Sequence, residues 1–421
     1  MSIRHSPQAW WKKLGPGLIT GAADDDPSGI ATYSQGGAQF GMSVAWTVLL
    51  TYPLMVGIQL ASARIGRITG KGLTENFSRL CPRWLVLGLV ILLTVANVIN
   101  LGADLNAMGD AASLLLGGPK AAYAVAFGTV SCALQVFLPY KRYVSILKWL
   151  TLSLLAYVGV TLTVQLDWVQ AARETVLPHL QWSKDYATTV VAILGTTISP
   201  YLFFWQAAQE VEEINRVARD KPLRIAPGQA KRELRRLRMD TVVGMGFSNA
   251  IAFCMIVATA ATLHAQGQTN VETTAQAAKA LEPIAGHMAT LLFCLGIVGT
   301  GLLALPVLAG SSARAIASLL HVRKGLDQPP AAAKAFYSVL AAAMVLGTGI
   351  AVSDLNPIKA LYWSAVINAV VSVPIMVAVM VAASHPKIVG DLTLPRLWRA
   401  LGWLATAAMG AATVTMFIAW S

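Results

Sequence analysis

Long apolar runs dominate the hydrophobic pattern of the chain. Eleven stretches contain few charged side chains, and short polar segments separate them. A helix of about 20 apolar residues crosses a bilayer, and runs of this length are too long and unbroken for barrel strands. The pattern therefore predicts an all-helical membrane protein. The eleven predicted crossings lie near residues 15–38, 43–65, 84–109, 121–139, 143–166, 187–209, 241–263, 286–311, 335–353, 360–384 and 397–419.

The distribution of basic residues predicts the orientation of these crossings. If the N-terminus is cytoplasmic, 27 of the 32 lysine and arginine residues lie on the cytoplasmic side. Basic residues collect in the cytoplasmic loops of membrane proteins. We therefore expect a multi-pass protein of the plasma (inner) membrane, with its N-terminus inside and its C-terminus outside. The most basic segment, 211–240, is expected to be a cytoplasmic loop whose RELRRLRMD sequence forms an amphipathic helix in contact with anionic lipid.

Composition excludes several classes of protein. The chain is 56% hydrophobic and 12% charged, with a mean hydropathy of +0.59, which excludes an ordinary soluble protein, a disordered chain and a disulfide scaffold. The net charge of +12 is explained by the loop bias, so we expect no nucleic-acid partner. No nucleophile–base pair or phosphate-binding loop is evident, and the four cysteines form no metal-binding pair. We expect neither an enzyme nor a resident cofactor.

Two of the predicted crossings contain a break near their middle. The first reads Gly21-Ala-Ala-Asp-Asp-Asp-Pro27, and the sixth reads Gly195-Thr-Thr-Ile-Ser-Pro200. Proline lacks an amide hydrogen and clashes with the preceding turn, so each proline with its polar neighbours predicts a broken helix. The breaks lie five crossings apart, which gives the two halves opposite topology. Broken helices at matching positions of inverted halves are typical of a transporter binding site.

Three adjacent carboxylates at the first break form the sharpest candidate site. Asp24, Asp25 and Asp26 lie within a predicted crossing, where each charge costs several kcal/mol unless it is paired or hydrated. No lysine or arginine lies deep in any predicted crossing, so we expect a mobile partner, either a metal ion or protons. Carboxylates and the carbonyls of a broken helix are hard oxygen ligands that suit Mg²⁺ or Mn²⁺. We expect Asp26 to bind the ion; alternatively, it caps the second half-helix.

Further candidates lie at the second break and on three other crossings. Ser199 is expected to complete the metal shell with Asp26. On the third stretch, Asn97, Asn100 and Asp104 share one helix face, so they either line a water or proton path or hold helices together. The remaining ion-site candidates are Thr196, Thr197, Tyr201, Gly29 and Asn368, and the remaining path candidates are Gln206 and Gln209, which could equally form interhelical hydrogen bonds.

The first and sixth stretches also resemble a known family. With eleven crossings, the sequences GPGLITGAADDDPSGIATYSQGGAQFG and ISPYLFFWQ are similar to those of the NRAMP family of metal-ion transporters. The resemblance implies a single transporter domain over 1–421 with the LeuT-type fold. Its inverted five-helix repeats would span about 15–166 and 187–384, followed by an additional helix at about 397–419. It also implies that the ion lies between the discontinuous helices one and six.

The ion-binding motifs of this chain differ from those of the family. The family motif Asp-Pro-Gly-Asn in helix one reads Asp26-Pro27-Ser28-Gly29 here, so glycine replaces the asparagine ligand. The family motif Met-Pro-His in helix six reads Ser199-Pro200-Tyr201, so both the thioether and the imidazole are replaced. Thioether sulfur favours soft transition metals over hard ions. We therefore expect the family's device for selecting Mn²⁺ or Fe²⁺ over Mg²⁺ to be absent.

The resemblance also bears on proton movement. Asp104 matches a third-helix aspartate that is linked to protons in the family, but Ala107 stands at the position of a second acidic residue. No arginine lies in the ninth stretch to serve as a charge partner. These differences predict a weakened route for protons.

The predicted function is secondary transport of a divalent cation, with Mg²⁺ favoured over Mn²⁺. One helix bundle would rock against the other around Asp26, so that the site faces each side of the membrane in turn. The expected partners are the lipid bilayer and the transported cation; the sequence leaves the oligomeric state open, and a monomer is compatible with this mechanism. The alternatives are a transporter of the same fold for a small organic molecule or amine, and a receptor that does not transport.

Overall fold

Helices build all the regular structure of the described chain. The computed structural model describes residues 20–21, 24–138, 150–164, 167–178, 180–216, 220–326 and 328–421. Within these ranges we number the helices of nine residues or more. They are α1 Pro27–Phe40, α2 Trp46–Thr69, α3 Arg83–Leu116, α4 Lys120–Phe137, α5 Leu155–Thr163, α6 Trp168–Val176, α7 Lys184–Thr197, α8 Pro200–Arg216, α9 Ala230–Thr262, α10 Ala289–Leu319, α11 Lys334–Ala351, α12 Pro357–Ser384 and α13 Arg396–Trp420.

The lengths and hydropathy of these helices fit a membrane protein. Among the described residues, nine helical segments are long and apolar enough to cross a bilayer, and α7 with α8 forms one of them. The bent pair Leu152–Thr163 and Trp168–Val176 would make a tenth. The predicted all-helical membrane architecture is confirmed. Residues 15–19 and 22–23 of the first predicted crossing, 139 of the fourth, and 143–149 and 165–166 of the fifth lie outside the described residues, so the count of eleven stays a prediction.

Both predicted helix breaks are present. α1 begins at Pro27, directly after the irregular backbone of Asp25 and Asp26, and α8 begins at Pro200 after α7 has ended at Thr197. Proline alone does not cause these breaks, because neighbouring helices can satisfy the freed backbone groups in a membrane protein. Three other prolines lie inside continuous helices: Pro53, Pro306 and Pro374.

The packing of the helices brings the two breaks together. α1 lies against α7, α9 and α12, while α3 packs on α10, α11 and α12. A side chain at Gly195, near the end of α7, would overlap the carbonyl oxygen of Ala365, so only glycine lets α7 and α12 approach this closely. The start of α1 and the end of α7 therefore meet between α3 and α12.

Several helices extend beyond the predicted crossings. α8 continues to Arg216 and α9 begins at Ala230, so much of the 211–240 segment is helical, and RELRRLRMD forms the first turns of α9 instead of a separate surface helix. α2 and α10 likewise include Arg67 and Arg314, which are both buried. The predicted crossings ended before Arg67 and Arg314, and both helices continue past these arginines, whose charges are neutralised by acidic partners.

Candidate functional site

Asp26 lies at the first break with donors on both of its carboxylate oxygens. It is the N-cap of α1, where Oδ1 accepts hydrogen bonds from the Ser28 hydroxyl at 2.7 Å and the Gly29 amide at 2.9 Å. Oδ2 accepts from the Asn100 amide at 3.1 Å and the Tyr201 hydroxyl at 2.9 Å. The predicted capping role is therefore present. The second oxygen points away from α1 and joins it to α3 and α8.

The buried acids near the breaks have no basic ion-pair partner among the described residues. Asp24, Asp25, Asp26 and Asp104 are each at most 2% exposed, and no lysine or arginine of the described residues forms an ion pair with any of them. Both carboxylate oxygens of Asp104 also lack a hydrogen-bond partner in the described chain. This region therefore contains acidic groups without a fixed positive charge.

The three adjacent aspartates do not face one point. The Ser248 hydroxyl of α9 lies 2.7 Å from Asp24 Oδ2 and 3.0 Å from Asp25 Oδ1, whereas Asp26 contacts α3 and α8. The helical backbone ends at Asp24, and the change of chain direction between Asp24 and Pro27 accounts for the separation. Asp24 and Asp25 thus join the first break to α9, and Asp26 alone joins it to the second break. No local pattern in the sequence indicates the contact with Ser248, because it joins residues 224 positions apart.

Threonine hydroxyls of the second break face α1. The Thr196 hydroxyl lies 3.3 Å from that of Ser28, and the Thr197 hydroxyl lies 2.9 Å from that of Tyr33. Ser199 behaves differently, because its hydroxyl donates to two carbonyl oxygens in the last turn of α7. The structure therefore places Thr196 and Thr197 between the broken helices, while the Ser199 hydroxyl is directed to the backbone of its own segment.

One face of α12 closes the space between the two breaks. Ser364, Asn368 and Ser372 follow one another at intervals of four residues and so share a face. Ser364 donates to Asn100 Oδ1 at 2.7 Å, and Ser372 donates to the carbonyl oxygen of Ile198 at 3.0 Å. Asn368 between them is fully buried, and neither polar atom of its amide has a partner in the described chain. The spacing from Asn368 could have identified both serines.

The predicted path residues have different roles in the packing. The Asn97 amide donates to a carbonyl and two serine hydroxyls of α10, so Asn97 ties α3 to α10, whereas Asn100 contacts Asp26. Gln206 accepts a hydrogen bond from Thr20, which joins α8 to the residues before the first break. Gln209 lies near Glu212, at 3.5 Å. Asn97 and Gln206 therefore form hydrogen bonds between separate segments of the bundle, which was the alternative to a role in a water or proton path.

A cavity of about 720 Å³ opens at the end of the molecule opposite the basic segment. Gln35 of α1, Asp185 of α7 and Tyr362 of α12 line it, together with Trp420 at the end of α13. It therefore lies among the helices that form the candidate site. Asp26 does not line the cavity and has no exposed surface.

Ion pairs close the basic end of the bundle. Arg67 of α2, which is fully buried, lies 2.6 Å from Asp220 and 2.7 Å from Glu233 of α9. Arg236 of α9 lies 2.8 Å from Glu210 of α8 and 3.1 Å from Glu233. These pairs connect α2, α8 and α9. The sequence does not predict these pairs. Arg67 and Arg236 have partners that are distant along the chain, and Glu233 and Arg236 lie in the segment predicted to be a loop.

A second buried arginine fixes α8 to α10. Arg314 of α10 pairs with Glu212 of α8, and its guanidinium group lies 4.6 Å from the ring centroid of Trp205. A cation over an aromatic face gains electrostatic stabilisation, and more of it in a desolvated setting. The part of α8 that follows the second break is therefore held on two sides by charged contacts.

The donors around Asp26 limit the kind of ion that could bind. The described residues contain no group of three or more histidine, cysteine, aspartate or glutamate side chains arranged for a metal. Asp26 is surrounded by hydroxyl and amide groups from Tyr201, Asn100 and Ser28. A cation at Asp26 would therefore be bound by one carboxylate and by neutral oxygens, which are hard ligands.

Comparison with known proteins identifies the family. A family model described as natural resistance-associated macrophage protein-like (Nramp) matches residues 17–419. The chain belongs to this family. The resemblance to NRAMP proteins that the first and sixth stretches predicted is therefore confirmed.

Relatives of this Nramp protein include bacterial transporters. It is 26% identical over 402 residues to the divalent metal cation transporter MntH of Klebsiella pneumoniae, covering 94% of this chain and 91% of the relative. It is 25% identical over 427 residues to MntH of Acidiphilium cryptum, covering 98% and 91%. These relatives are named as transporters and not as enzymes.

Solved structures show the same fold. The Eremococcus coleocola manganese transporter superposes with a TM-score of 0.75 at 16% identity, covering 98% of this chain and 88% of the other. Mhp1, a nucleobase-cation-symport-1 family transporter, superposes with a TM-score of 0.59 at 14% identity, covering 100% and 93%. The fold of this Nramp protein is thus shared by transporters of a metal ion and of an organic compound.

Proposed function

We propose that this protein is a secondary transporter that moves a divalent metal cation across the membrane by alternating access, and that Asp26 binds the ion. Membership of the Nramp family and the MntH relatives support metal-ion transport. The observation that carries the assignment to Asp26 is its position: fully buried, between the two helix breaks, and without a basic partner in the described chain. A buried carboxylate of this kind needs a mobile cation.

The proposed ligand shell consists of oxygen atoms. Asp26 Oδ2 now accepts from Asn100 and Tyr201, so an ion at this oxygen displaces at least one donor hydrogen. Rotation of the Asn100 amide would then present its carbonyl oxygen. Asn368, whose amide lacks a partner in the described residues, would supply another. Ser199 would become a ligand of the ion only after its hydroxyl has broken its hydrogen bonds to the carbonyl oxygens of α7.

The oxygen shell favours Mg²⁺ over Mn²⁺ in this proposal. Mg²⁺ takes hard oxygen ligands and keeps several waters, so one carboxylate with a few neutral oxygens suits it. The positions at which the family motif has methionine and histidine are here Ser199 and Tyr201, which offer neither thioether sulfur nor imidazole nitrogen. Selection for a soft transition metal is therefore reduced. Thr196, Thr197 and Gly29 would shape the pocket, with backbone carbonyls at the breaks as further ligands.

Proton coupling is proposed to be weak. Asp104 keeps the family's third-helix acid and is fully buried, but Tyr201 replaces the histidine and Ala107 replaces the second acid. Asp104 is therefore the one candidate proton carrier on that face of α3. Uptake driven by the cation gradient should change little when a proton gradient is imposed.

The proposed topology follows from the basic residues. The end of the molecule that carries the first turns of α9 would face the cytoplasm, with the N-terminus inside and the C-terminus outside. Eleven crossings would then comprise two inverted repeats of five helices, about 15–166 and 187–384, and an additional helix. The large cavity beside α1 would open outward.

Ion flux into proteoliposomes tests the function. Purified wild type and Asp26→Ala would be reconstituted, and entry of Mg²⁺, Mn²⁺ and Ca²⁺ would be measured separately. We expect entry of Mg²⁺, then Mn²⁺, with loss of both in Asp26→Ala. Asp110→Ala is the matched control, because Asp110 lies on α3 but bonds to Thr274 away from the breaks. Full flux in Asp26→Ala would overturn the assignment.

A second candidate function is transport of a small organic amine on the same fold. Two tyrosine side chains, Tyr33 and Tyr201, lie beside the first break, and a carboxylate with aromatic neighbours suits an ammonium group. The fold shared with Mhp1 supports this alternative. Uptake of an organic cation by proteoliposomes that carry no divalent-ion flux would favour it over metal transport.

A further inference from the structure

The first turns of α9 have two charged faces with different surroundings. Glu233 and Arg236 face inward and belong to the ion pairs with α2 and α8. Lys231, Arg235 and Arg238 are exposed and, among the described residues, none of them forms an ion pair. Their spacing of i, i+4 and i+7 places them on one helix face. This second face therefore carries three positive charges that have no ion-pair partner in the part of the chain that the structure describes.

A cavity of about 320 Å³ lies against this face. α2 contributes Arg64, α9 contributes the three exposed basic residues, and Trp398 of α13 lies on the other side. The rest of the lining is apolar, and no acidic side chain of the described residues takes part. Four cations around one cavity with no acid favour an anionic ligand.

Two features fix the charges around this cavity. Arg64 donates to the backbone carbonyls of Leu392 and Thr393 at 2.9 and 3.0 Å, so its guanidinium group is held in place before any ligand binds. α9 begins at Ala230, so Lys231 lies in its first turn, where the helix dipole adds partial positive charge. The positive potential therefore belongs to a built site and not to a row of mobile side chains alone.

The surroundings of the cavity distinguish a lipid from a free anion. Immediately along α9, Met239, Val243 and Phe247 are exposed at successive intervals of four residues. On α13, Trp403 and Leu404 are exposed apolar residues that follow Trp398. The cavity thus lies where the apolar surface that faces the bilayer meets the basic end of the bundle. Basic pockets between membrane helices at this level are suited to anionic head groups, and tryptophan is enriched there.

We infer that this cavity binds the phosphate of an anionic phospholipid. Arg64 and the three exposed basic residues of α9 are its ligands, and the acyl chains lie along the exposed apolar face of α9. The bound lipid would bridge α9 and α13 beside α2. Because the cavity lies on the opposite face of α9 from the ion pairs, the inference does not depend on which solute the protein transports.

Native mass spectrometry of the full-length protein tests this site. Detergent-purified wild type would be mixed with phosphatidylglycerol or phosphatidylcholine of matched acyl chains, and retained lipid would be counted. We expect selective retention of phosphatidylglycerol, reduced about a hundredfold in the Lys231→Gln, Arg235→Gln, Arg238→Gln triple variant, because each basic side chain near an anionic lipid contributes about fivefold. Equal retention of both lipids by wild type would overturn the inference.

Control variants separate this site from general electrostatics. Arg79→Gln, Arg83→Gln and Arg323→Gln together remove three exposed charges from the same end and should leave retention unchanged. Arg235→Lys with Arg238→Lys keeps the charge and should keep most of the binding. An equal loss in both triple variants would contradict a local site. Inorganic phosphate alone should not shift the thermal unfolding of wild type; a shift as large as the lipid gives would overturn the assignment to a lipid.

Discussion

Buried acids lie in two regions of this Nramp protein that differ in their positive partners. At the basic end, Glu210 and Glu233 lie within 3.1 Å of guanidinium groups from Arg67 and Arg236. At the helix breaks, Asp26 is equally buried, but its hydrogen-bond donors among the described residues are all neutral. The same chemical group is therefore fixed by protein charges in one region and left without them in the other.

The difference indicates two roles for buried charge. A paired carboxylate contributes to stability mainly because removing its partner would leave a bare charge in a low dielectric. A carboxylate surrounded by neutral oxygens can exchange its donors for a cation that later leaves. The arginine contacts join α2, α8, α9 and α10, whereas the donors to Asp26 come from the two breaks and α3. We infer that the first region holds the bundle closed and that the second binds the transported ion.

The largest expected effect comes from breaking the paired region. Arg67→Met leaves Asp220 and Glu233 without their central partner, so we expect a loss of about 3–5 kcal/mol in the free energy of unfolding. Denaturant unfolding of the purified protein measures it. Arg79→Met is the control, since Arg79 is exposed and should change stability by less than about 0.5 kcal/mol. Equal stability of the two variants would show that the ion pairs are not structural.

A smaller effect is expected from substitutions around Asp26, where the affinity for the divalent ion should change more than the free energy of unfolding. Asn100→Ala removes the amide whose carbonyl oxygen is proposed to bind the ion after rotation, so divalent-ion affinity should fall about tenfold. Asn97→Ala is matched in chemistry and lies one turn away, but it bonds to α10. It should lower stability and leave affinity unchanged. Calorimetric titration with Mg²⁺ compares the two; an equal loss would contradict the separation of their roles.

The smallest expected effect is at Asn368, where a substitution should raise the stability of the protein and lower its affinity for Mg²⁺. Asn368 buries an amide with no partner among the described residues, which costs about 1–3 kcal/mol. Asn368→Leu should therefore raise the unfolding temperature measured without divalent ion, yet weaken Mg²⁺ binding if the amide is a ligand. Ser372→Ala on the same face is the control, and it should not raise stability because it loses a bond to Ile198. Unchanged Mg²⁺ affinity in Asn368→Leu would remove Asn368 from the shell.

The breaks could be predicted because their signal is local. Pro27 and Pro200 each follow polar residues in an apolar stretch, and the structure begins a helix at each. The prolines within α2, α10 and α12 have fewer carboxylates or hydroxyls in the five residues before them, and those helices continue. The position of Asp26 at the first break followed from the same local pattern.

The contacts between distant residues could not be predicted in the same way. Tyr201 meets Asp26 across 175 positions of the chain, and Ser248 meets Asp24 across 224, so only the tertiary packing of the helices brings them together. The arginines were misplaced for a related reason. Hydropathy ends a crossing where charges begin, but Arg67 and Arg314 find acidic partners on other helices, which lets α2 and α10 continue.

Binding of Mg²⁺ to two single-acid variants tests the central claim most directly. Calorimetric titration would compare wild type with Asp26→Asn and Glu210→Gln. Asp26 has no basic partner among the described residues, whereas Glu210 is paired with Arg236. Both substitutions leave the side-chain volume nearly unchanged. We predict that Glu210→Gln binds Mg²⁺ as wild type does, and that Asp26→Asn loses affinity by about a hundredfold or more. Wild-type affinity in Asp26→Asn, or an equal loss in both variants, would contradict the account.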